Sequence, residues 1–151
     1  MRRKDREQSR EFALEAVDTC SYAVLGTVNA DGTPYCVPVT IVRDGEAIYF
    51  HGALAGQKIE NLAARPQVSL ACVSRAVTRQ QTYSVDYASA IVTGVARLVT
   101  EKEEKAHALR ILCGRHTPDA MAGVEKHIAA DIGHTGVVRI TIASITGKAN
   151  T

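Results

Sequence analysis

Two Asp-Gly pairs, Asp31-Gly32 and Asp44-Gly45, constrain this chain more than any other feature. Each stands between short runs rich in Val, Ile, Tyr and Thr. Asp-Gly tolerates the positive φ angles that a tight hairpin demands. Residues 21–28, 33–42 and 47–51 are therefore expected to form a meander of three consecutive antiparallel strands. Pro34 and Pro38 lie in the second of these. Proline donates nothing to a sheet ladder, so that strand is expected at an edge, or with a bulge or break near Pro38.

The rest of the chain continues in short elements. Residues 3–18 carry Phe12, Ala13, Ala16 and Val17 at helical spacing, which predicts a short amphipathic helix. Residues 56–64 place Ile59, Leu62 and Ala63 on one helical face and stop at Arg65-Pro66. A fourth strand is expected over 67–73, then a polar loop with Arg75, Arg79 and Gln80, then a long β-rich stretch over 83–100 with a bend at Gly94. Thr100 and Glu103 match a capping box that opens a helix to about residue 112. Thr117-Pro118 starts another helix, and residues 136–145 form a last strand. About six strands and two to four short helices predict one mainly β domain over residues 1–151, a small antiparallel barrel with helices packed outside.

Composition narrows the function classes. Hydrophobic residues are 46% and charged residues 23%, enough apolar material for a real core and too much for disorder. The longest stretch without a charged residue, 19–30, is too short for a membrane span of roughly 20 residues. No apolar block follows the basic start, so no secretory signal is expected and the protein is expected in the cytoplasm. The net charge of +2 comes from the first ten residues. These are expected to be a flexible basic N-terminus on a near-neutral body, which argues against nucleic acid as a partner. Cys20, Cys36, Cys72 and Cys113 form no C-x-x-C pair, and the five histidines form no H-x-x-x-H pair. No metal site is expected, and the cysteines are read as free, reduced and structural.

Nucleotide-binding glycine fingerprints and the G-x-S-x-G nucleophile elbow are absent. What remains is Tyr49-Phe50-His51-Gly52-Ala53-Leu54-Ala55-Gly56-Gln57-Lys58. A strand ends in histidine, crosses small residues and starts a helix through Gly-Gln-Lys. A helix start is a ready anion site, and Lys58 adds a full charge. Spacing alone favours a plain surface lysine, and leaves His51 open between a structural residue and a ligand. The Tyr83–Ser89 run suits one strand face, a packing role as much as a binding one.

Taken together, these segments resemble a known family. The features are Gly32-x-Pro34-Tyr35-x-Val37-Pro38-Val39, then Asp44-Gly45-x-x-Ile48-Tyr49-Phe50-His51-Gly52-Ala53, Gly56-x-Lys58, Asn61-Leu62 and Arg65-Pro66-x-Val68, followed by Tyr87-x-Ser89, Gly94-x-Ala96, Glu104-Lys105 and Ile145-Thr146-Gly147-Lys148. They resemble the pyridoxamine 5′-phosphate oxidase-like, FMN-binding split-barrel superfamily, and within it the nitroimidazole-resistance branch. The resemblance implies a six-stranded antiparallel split β-barrel with short flanking helices. It also implies a homodimer, with FMN in a cleft between subunits. Six strands cannot enclose a flavin, which agrees with a cofactor held outside the barrel.

By the same resemblance, Pro38, Val39 and Thr40 would lie against the flavin ring. Phe50, His51, Gln57 and Lys58 would hold the ribityl chain and phosphate, and Tyr87 and Ser89 would reach the cofactor from the partner subunit. His51 is the candidate catalytic residue, beside the pocket of a small-molecule substrate. The implied activity is a flavin-dependent oxidoreductase acting on nitroimidazole-like or other electron-poor molecules. Alternatives are a haem-binding split barrel with His51 as axial ligand, a deazaflavin in place of FMN, and a non-catalytic flavin-binding module.

Overall fold

The computed structural model describes residues 2–150. Glu7–Gln8 (β1) precedes the helix Arg10–Thr19 (α1), and the chain then forms the strands Ala23–Val28 (β2), Pro34–Val39 (β3), Val42–Asp44 (β4) and Ala47–Gly52 (β5). The helix Gln57–Ala64 (α2) leads to the long strands Gln67–Arg79 (β6) and Ser84–Leu98 (β7). The helices Lys102–His116 (α3) and Val124–Asp131 (α4) precede the last strand, Gly136–Asn150 (β8). All pairings are antiparallel, in the order β3-β2-β6-β7-β8-β5-β4, with β1 added beside β8. The expected mainly β class with peripheral helices is observed. The sheet has eight strands rather than six, because β1 pairs and because the expected second strand divides into β3 and β4.

That division corrects the expected meander. Both Asp-Gly turns do close hairpins. Gly32 has φ +89° and Gly45 has φ +57°, and the hairpins join β2 to β3 and β4 to β5. The two hairpins do not pair with each other. β3 and β4 stand at opposite ends of the strand order, joined only by Thr40 and Ile41. From Val39 to Val42 the chain can reach no more than about 11 Å, whereas seven strands laid flat span roughly 29 Å. The sheet must therefore curl until its two edges meet, which makes a barrel split between β3 and β4. Both prolines of β3 sit on an edge strand, where a missing N–H costs nothing.

The interior of this barrel is one apolar cluster of Leu25, Ile48, Phe50, Leu70, Val92 and Ile140, to which α1 adds Ala13, Ala16 and Val17. A second cluster lies outside, where Leu109 and Leu112 of α3 and Val124 and Ile128 of α4 cover Tyr49 and Val137. Strand alternation explains both. In β5, Ile48 and Phe50 point inward, while Ala47 and Tyr49 point out under the helices.

Other expectations shift in detail. Residues 7 and 8, expected within a flexible start, pair with Lys148 and Gly147, and the first α-helix opens at Arg10 behind a Ser9 cap. The expected polar loop at 75–80 is mostly strand, since Arg75 to Arg79 pair with Ala88 to Ser84. The Thr100/Glu103 capping box does not form. Glu101 is the N-cap without a side-chain bond, and Thr100 Oγ1 donates to Glu101 instead. All four cysteines are free, but Cys36 is exposed.

The irregularity expected at Gly94 is present. The β7–β8 register shifts between Thr93 and Gly94, and a Cβ on Gly94 would stand 2.5 Å from the Thr141 carbonyl oxygen. Gly94→Ala should lower the unfolding free energy in denaturant titration by about 1–3 kcal/mol. Gly123→Ala, where a Cβ meets nothing within 4 Å, should stay within about 0.5 kcal/mol of the parent.

Candidate functional site

His51 is the next outward residue on β5 after Ala47 and Tyr49, and it lies just beyond the edge of the helix layer. There the chain leaves the sheet and a cavity of about 530 Å³ opens between the barrel and α3–α4. Leu109, Leu112, Val124 and Ile128 give it an apolar floor. His51, Thr40, His116, His127 and Thr135 supply polar groups, and among the described residues Asp131 is the one carboxylate in the lining and no lysine or arginine joins it.

The histidines differ in state. His116 Nε2 lies 2.8 Å from the Ile41 carbonyl oxygen. A carbonyl only accepts, so Nε2 carries the proton, and in the neutral ring Nδ1 is left as an acceptor. His127 Nδ1 faces Asp131 at 3.4 Å. Burial, His116 and Lys58 together push the His51 pKa below its ordinary value. His51 is therefore neutral near pH 7, with one nitrogen to donate and one to accept.

The loop after His51 is shaped by three glycines. A Cβ on Gly136 would stand 2.8 Å from the Ala53 carbonyl oxygen, so the loop rests directly on the start of β8. A Cβ on Gly52 would stand 3.2 Å from Lys58 Nζ, so Lys58 lies back across Gly52, beside His51. Gly56 caps α2 with φ +117°, a conformation that L side chains rarely adopt. The helix is pinned below by Asn61, 2% exposed, whose Nδ2 donates to Thr27 Oγ1 and Asn29 Oδ1 at 2.9 Å each.

Thr40 and His51 thus share one cavity lining, and Lys58 lies beside His51 across Gly52. Gln57 stands beside them on α2, its Nε2 donating to Asn61 Oδ1 at 3.0 Å. Pro38 is exposed on the outer face of β3, whereas Val39 turns into the barrel core. Phe50 is fully buried in the barrel, so it offers the surface only main chain. Tyr87 and Ser89 lie elsewhere, on the outer face of β7. Tyr87 takes a hydrogen bond from Arg6, and Ser89 Oγ donates to the Lys148 carbonyl at 3.3 Å. Sequence reasoning missed His116, His127 and the cavity floor. The one available signal was the spacing of Leu109, Leu112 and His116, a helical face that continues past the charged segment.

The comparisons agree with this architecture. A family model described as Pyridoxamine 5'-phosphate oxidase matches residues 9–149. The chain belongs to that family. No curated relative matches the sequence. Among solved structures, a candidate 5-nitroimidazole antibiotic resistance protein from Bacteroides thetaiotaomicron is 22% identical, with TM-score 0.75 over 94% of this chain and 84% of that one. A FAD-binding protein from Mesorhizobium loti is 21% identical, with TM-score 0.71 over 97% and 98%. A FAD and heme binding protein from Mycobacterium smegmatis is 21% identical, with TM-score 0.81 over 96% and 73%. At these identities the likeness is one of fold.

The depressed His51 pKa has a direct consequence. In an NMR pH titration its midpoint should lie below 6.5, the ordinary histidine value, and His116→Gln should raise it. Because the folded state binds the His51 proton more weakly than the unfolded chain, stability should fall as pH drops from 6.5 toward the folded midpoint. His51→Gln should flatten that part of the stability profile.

Proposed function

We propose that this chain is a flavin-dependent reductase of electron-poor small molecules, nitroimidazole-like compounds among them, working as a homodimer. The observation that carries the reading is neutral His51, which lines a largely apolar cavity together with Thr40 and has Lys58 beside it across Gly52. The residues fit the cofactor. Lys58 and the first amides of α2 suit a phosphate, with Gly52 and Gly56 leaving room that a side chain would fill. Gln57 would border the ribityl side, and Pro38 and Thr40 would offer an uncharged surface to a ring. A bound flavin supplies hydride equivalents that these side chains do not. Neutral His51 would hold one N–H as a hydrogen-bond donor to the acceptor, and after taking a proton from solvent the imidazolium would pass it on and return to the neutral ring. The apolar floor excludes water and orients the substrate.

The homodimer reading is supported by the outer face of β6, β7 and β8. Val73, Ile91 and Val95 are 50%, 46% and 47% exposed. The register sets them among Ser69, Ala71, Thr93 and Thr146. The named residues of this strip are uncharged, with Lys148 the first cation beyond Thr146 on the same face, and a second copy is the partner that matches the uncharged part. The same face holds Pro38 at one edge and Tyr87 and Ser89 farther along β7, so pairing two copies would present residues from both to one ligand.

The three histidines around an apolar cavity also favour a second reading, haem held through His51 or His116. Absorption spectra on adding FMN, FAD, a deazaflavin or haem separate the readings. The flavin reading expects shifted flavin bands, and the haem reading expects a Soret band that is lost in His51→Ala.

Under the leading reading, His51→Ala should retain FMN affinity within about threefold but lower turnover of a nitroaromatic acceptor by about 10²-fold or more, measured with dithionite-reduced flavin. Unchanged turnover would remove His51 from the reaction. Ile91→Lys should convert the dimer to monomer in light scattering and weaken flavin binding with it.

A further inference from the structure

A cationic cluster lies on the outer face of the sheet, away from the cavity. Arg6 Nη1 donates to Tyr87 Oη at 3.5 Å, and Lys148 Nζ stands 5.6 Å from the centre of the Tyr87 ring. All three residues are half-buried. The other bases of the N-terminal turn are neutralised locally, Arg3 by Asp5 and Lys4 by Glu7 at 3.0 Å. Among the described residues, no carboxylate forms an ion pair with Arg6 or Lys148. Glu7 is the register partner of Lys148, but its carboxylate is engaged by Lys4.

The cluster is held in place by the backbone. β1 pairs Glu7 with Lys148 and Gln8 with Gly147. Gly147 admits this close approach, since a Cβ there would stand 3.1 Å from Ala13 Cβ, 3.2 Å from the Phe12 ring and 3.3 Å from Gln8 Cβ. Arg6 is the residue just before this anchored strand, so it is carried to Tyr87 rather than left in solvent. Its guanidinium donates to the Tyr87 oxygen, which leaves the Tyr87 hydroxyl proton free to point at a third group. Although burial opposes it, the hydrogen bond from Arg6 and the nearby Lys148 ammonium hold the Tyr87 hydroxyl below its ordinary pKa. Two like charges gathered around one hydroxyl repel each other unless an anion sits between them. A fork of N–H donors, an ammonium and an O–H together suit a tetrahedral oxyanion.

We propose that Arg6, Tyr87 and Lys148 form a second phosphate-binding site, distinct from the one at Lys58, which takes a phosphate group of a nucleotide. That phosphate comes either from a dinucleotide flavin or from a separate nucleotide reductant. Both offer the same chemistry to the site. The inference goes beyond the flavin reading and survives its failure, because inorganic pyrophosphate alone tests it.

The experiment is calorimetric titration of pyrophosphate into four proteins: the parent, Lys58→Met, Arg6→Gln with Lys148→Gln, and the triple variant. Gln is chosen because β1 pairs through its main chain, and melting temperatures close to the parent confirm that each variant is folded. Tyr87→Phe, which keeps the ring, is the fallback if the double variant unfolds, and it should weaken binding in the Lys58→Met background. The expected result is that pyrophosphate still binds Lys58→Met, weakens with salt, and loses roughly tenfold or more in affinity in the triple variant. Pyrophosphate that ignores the Arg6 and Lys148 changes, or that is abolished by Lys58→Met alone, overturns the proposal. Repeating the titration with FMN, FAD and NADPH identifies the source. A loss for FAD with FMN spared points to the dinucleotide flavin, and a loss for NADPH alone points to the reductant. If FMN and FAD fail to bind the parent, the flavin reading falls while the pyrophosphate result still decides the site.

Discussion

The Ile41 carbonyl is the joint on which this molecule depends. It accepts from Arg115 Nη1 and from His116 Nε2, both at 2.8 Å. The same guanidinium also donates to the carbonyls of Val17 and Cys20, at 3.0 and 2.7 Å. One arginine near the end of α3 thus ties together the last turn of α1, the link after it and the two-residue crossing between the sheet edges. That crossing is too short for anything but a curled sheet, and the curl creates the barrel interior. Charge-assisted bonds to three carbonyls fix the arginine more firmly than any single neutral bond would. The joint also positions Thr40, one residue before Ile41, and turns the His116 ring so that its second nitrogen is free.

α3 is secured at its other end by a different device. Glu104 accepts from Arg97 at 2.6 Å, Arg139 at 3.0 Å and the Tyr49 hydroxyl at 3.0 Å. Burial opposes its charge, yet these partners keep the carboxyl below its ordinary pKa. A lone surface pair would contribute little, but this group binds one helix to β5, β7 and β8 at once. With Glu104 near its start and Arg115 near its end, α3 is clamped across the outer face of β5. The cavity beside His51 lies along the second half of the helix, between the clamp and the joint. Its shape is set by tertiary anchoring rather than by any property of the helix alone.

This explains what could and could not be read from the sequence. The hairpins were legible because Asp31-Gly32 and Asp44-Gly45 act locally, through backbone angles at Gly32 and Gly45. How the hairpins pair was not legible. Residues 34–42 look like one apolar strand, and the break at Thr40 and Ile41 arises from contacts with α3 some 75 positions away. The stretch at 75–79 looked like loop because it is polar, but Asp86, 6% exposed, takes Arg79 at 2.7 Å and Arg75 at 3.9 Å, which extends the β6–β7 hairpin. His51 and Lys58 were visible as a strand-to-helix motif. His116 and His127 were not, since a histidine on a charged helix reads as solvated until the face it turns toward the sheet is known.

The candidate site also has an internal electrostatic logic. Burial and then His116 depress the His51 pKa most, and Lys58, outside the cavity but close by, adds to them, so the cation that suits a phosphate also disfavours a charged imidazole. An anion seated at Lys58 offsets that field, and His51 then binds its proton more tightly. Proton affinity at the mouth of the cavity is thereby linked to occupancy of the phosphate position by the same free energy in both directions. On the proposed reading, His51 holds a proton to donate more readily when the cofactor is in place, and stays uncharged when it is not. Burial, the largest depressing influence, and His116 after it set the baseline from which that change is made. The orientation of His116 is fixed by Ile41, so the chemistry at the mouth traces back to the crossing that splits the barrel.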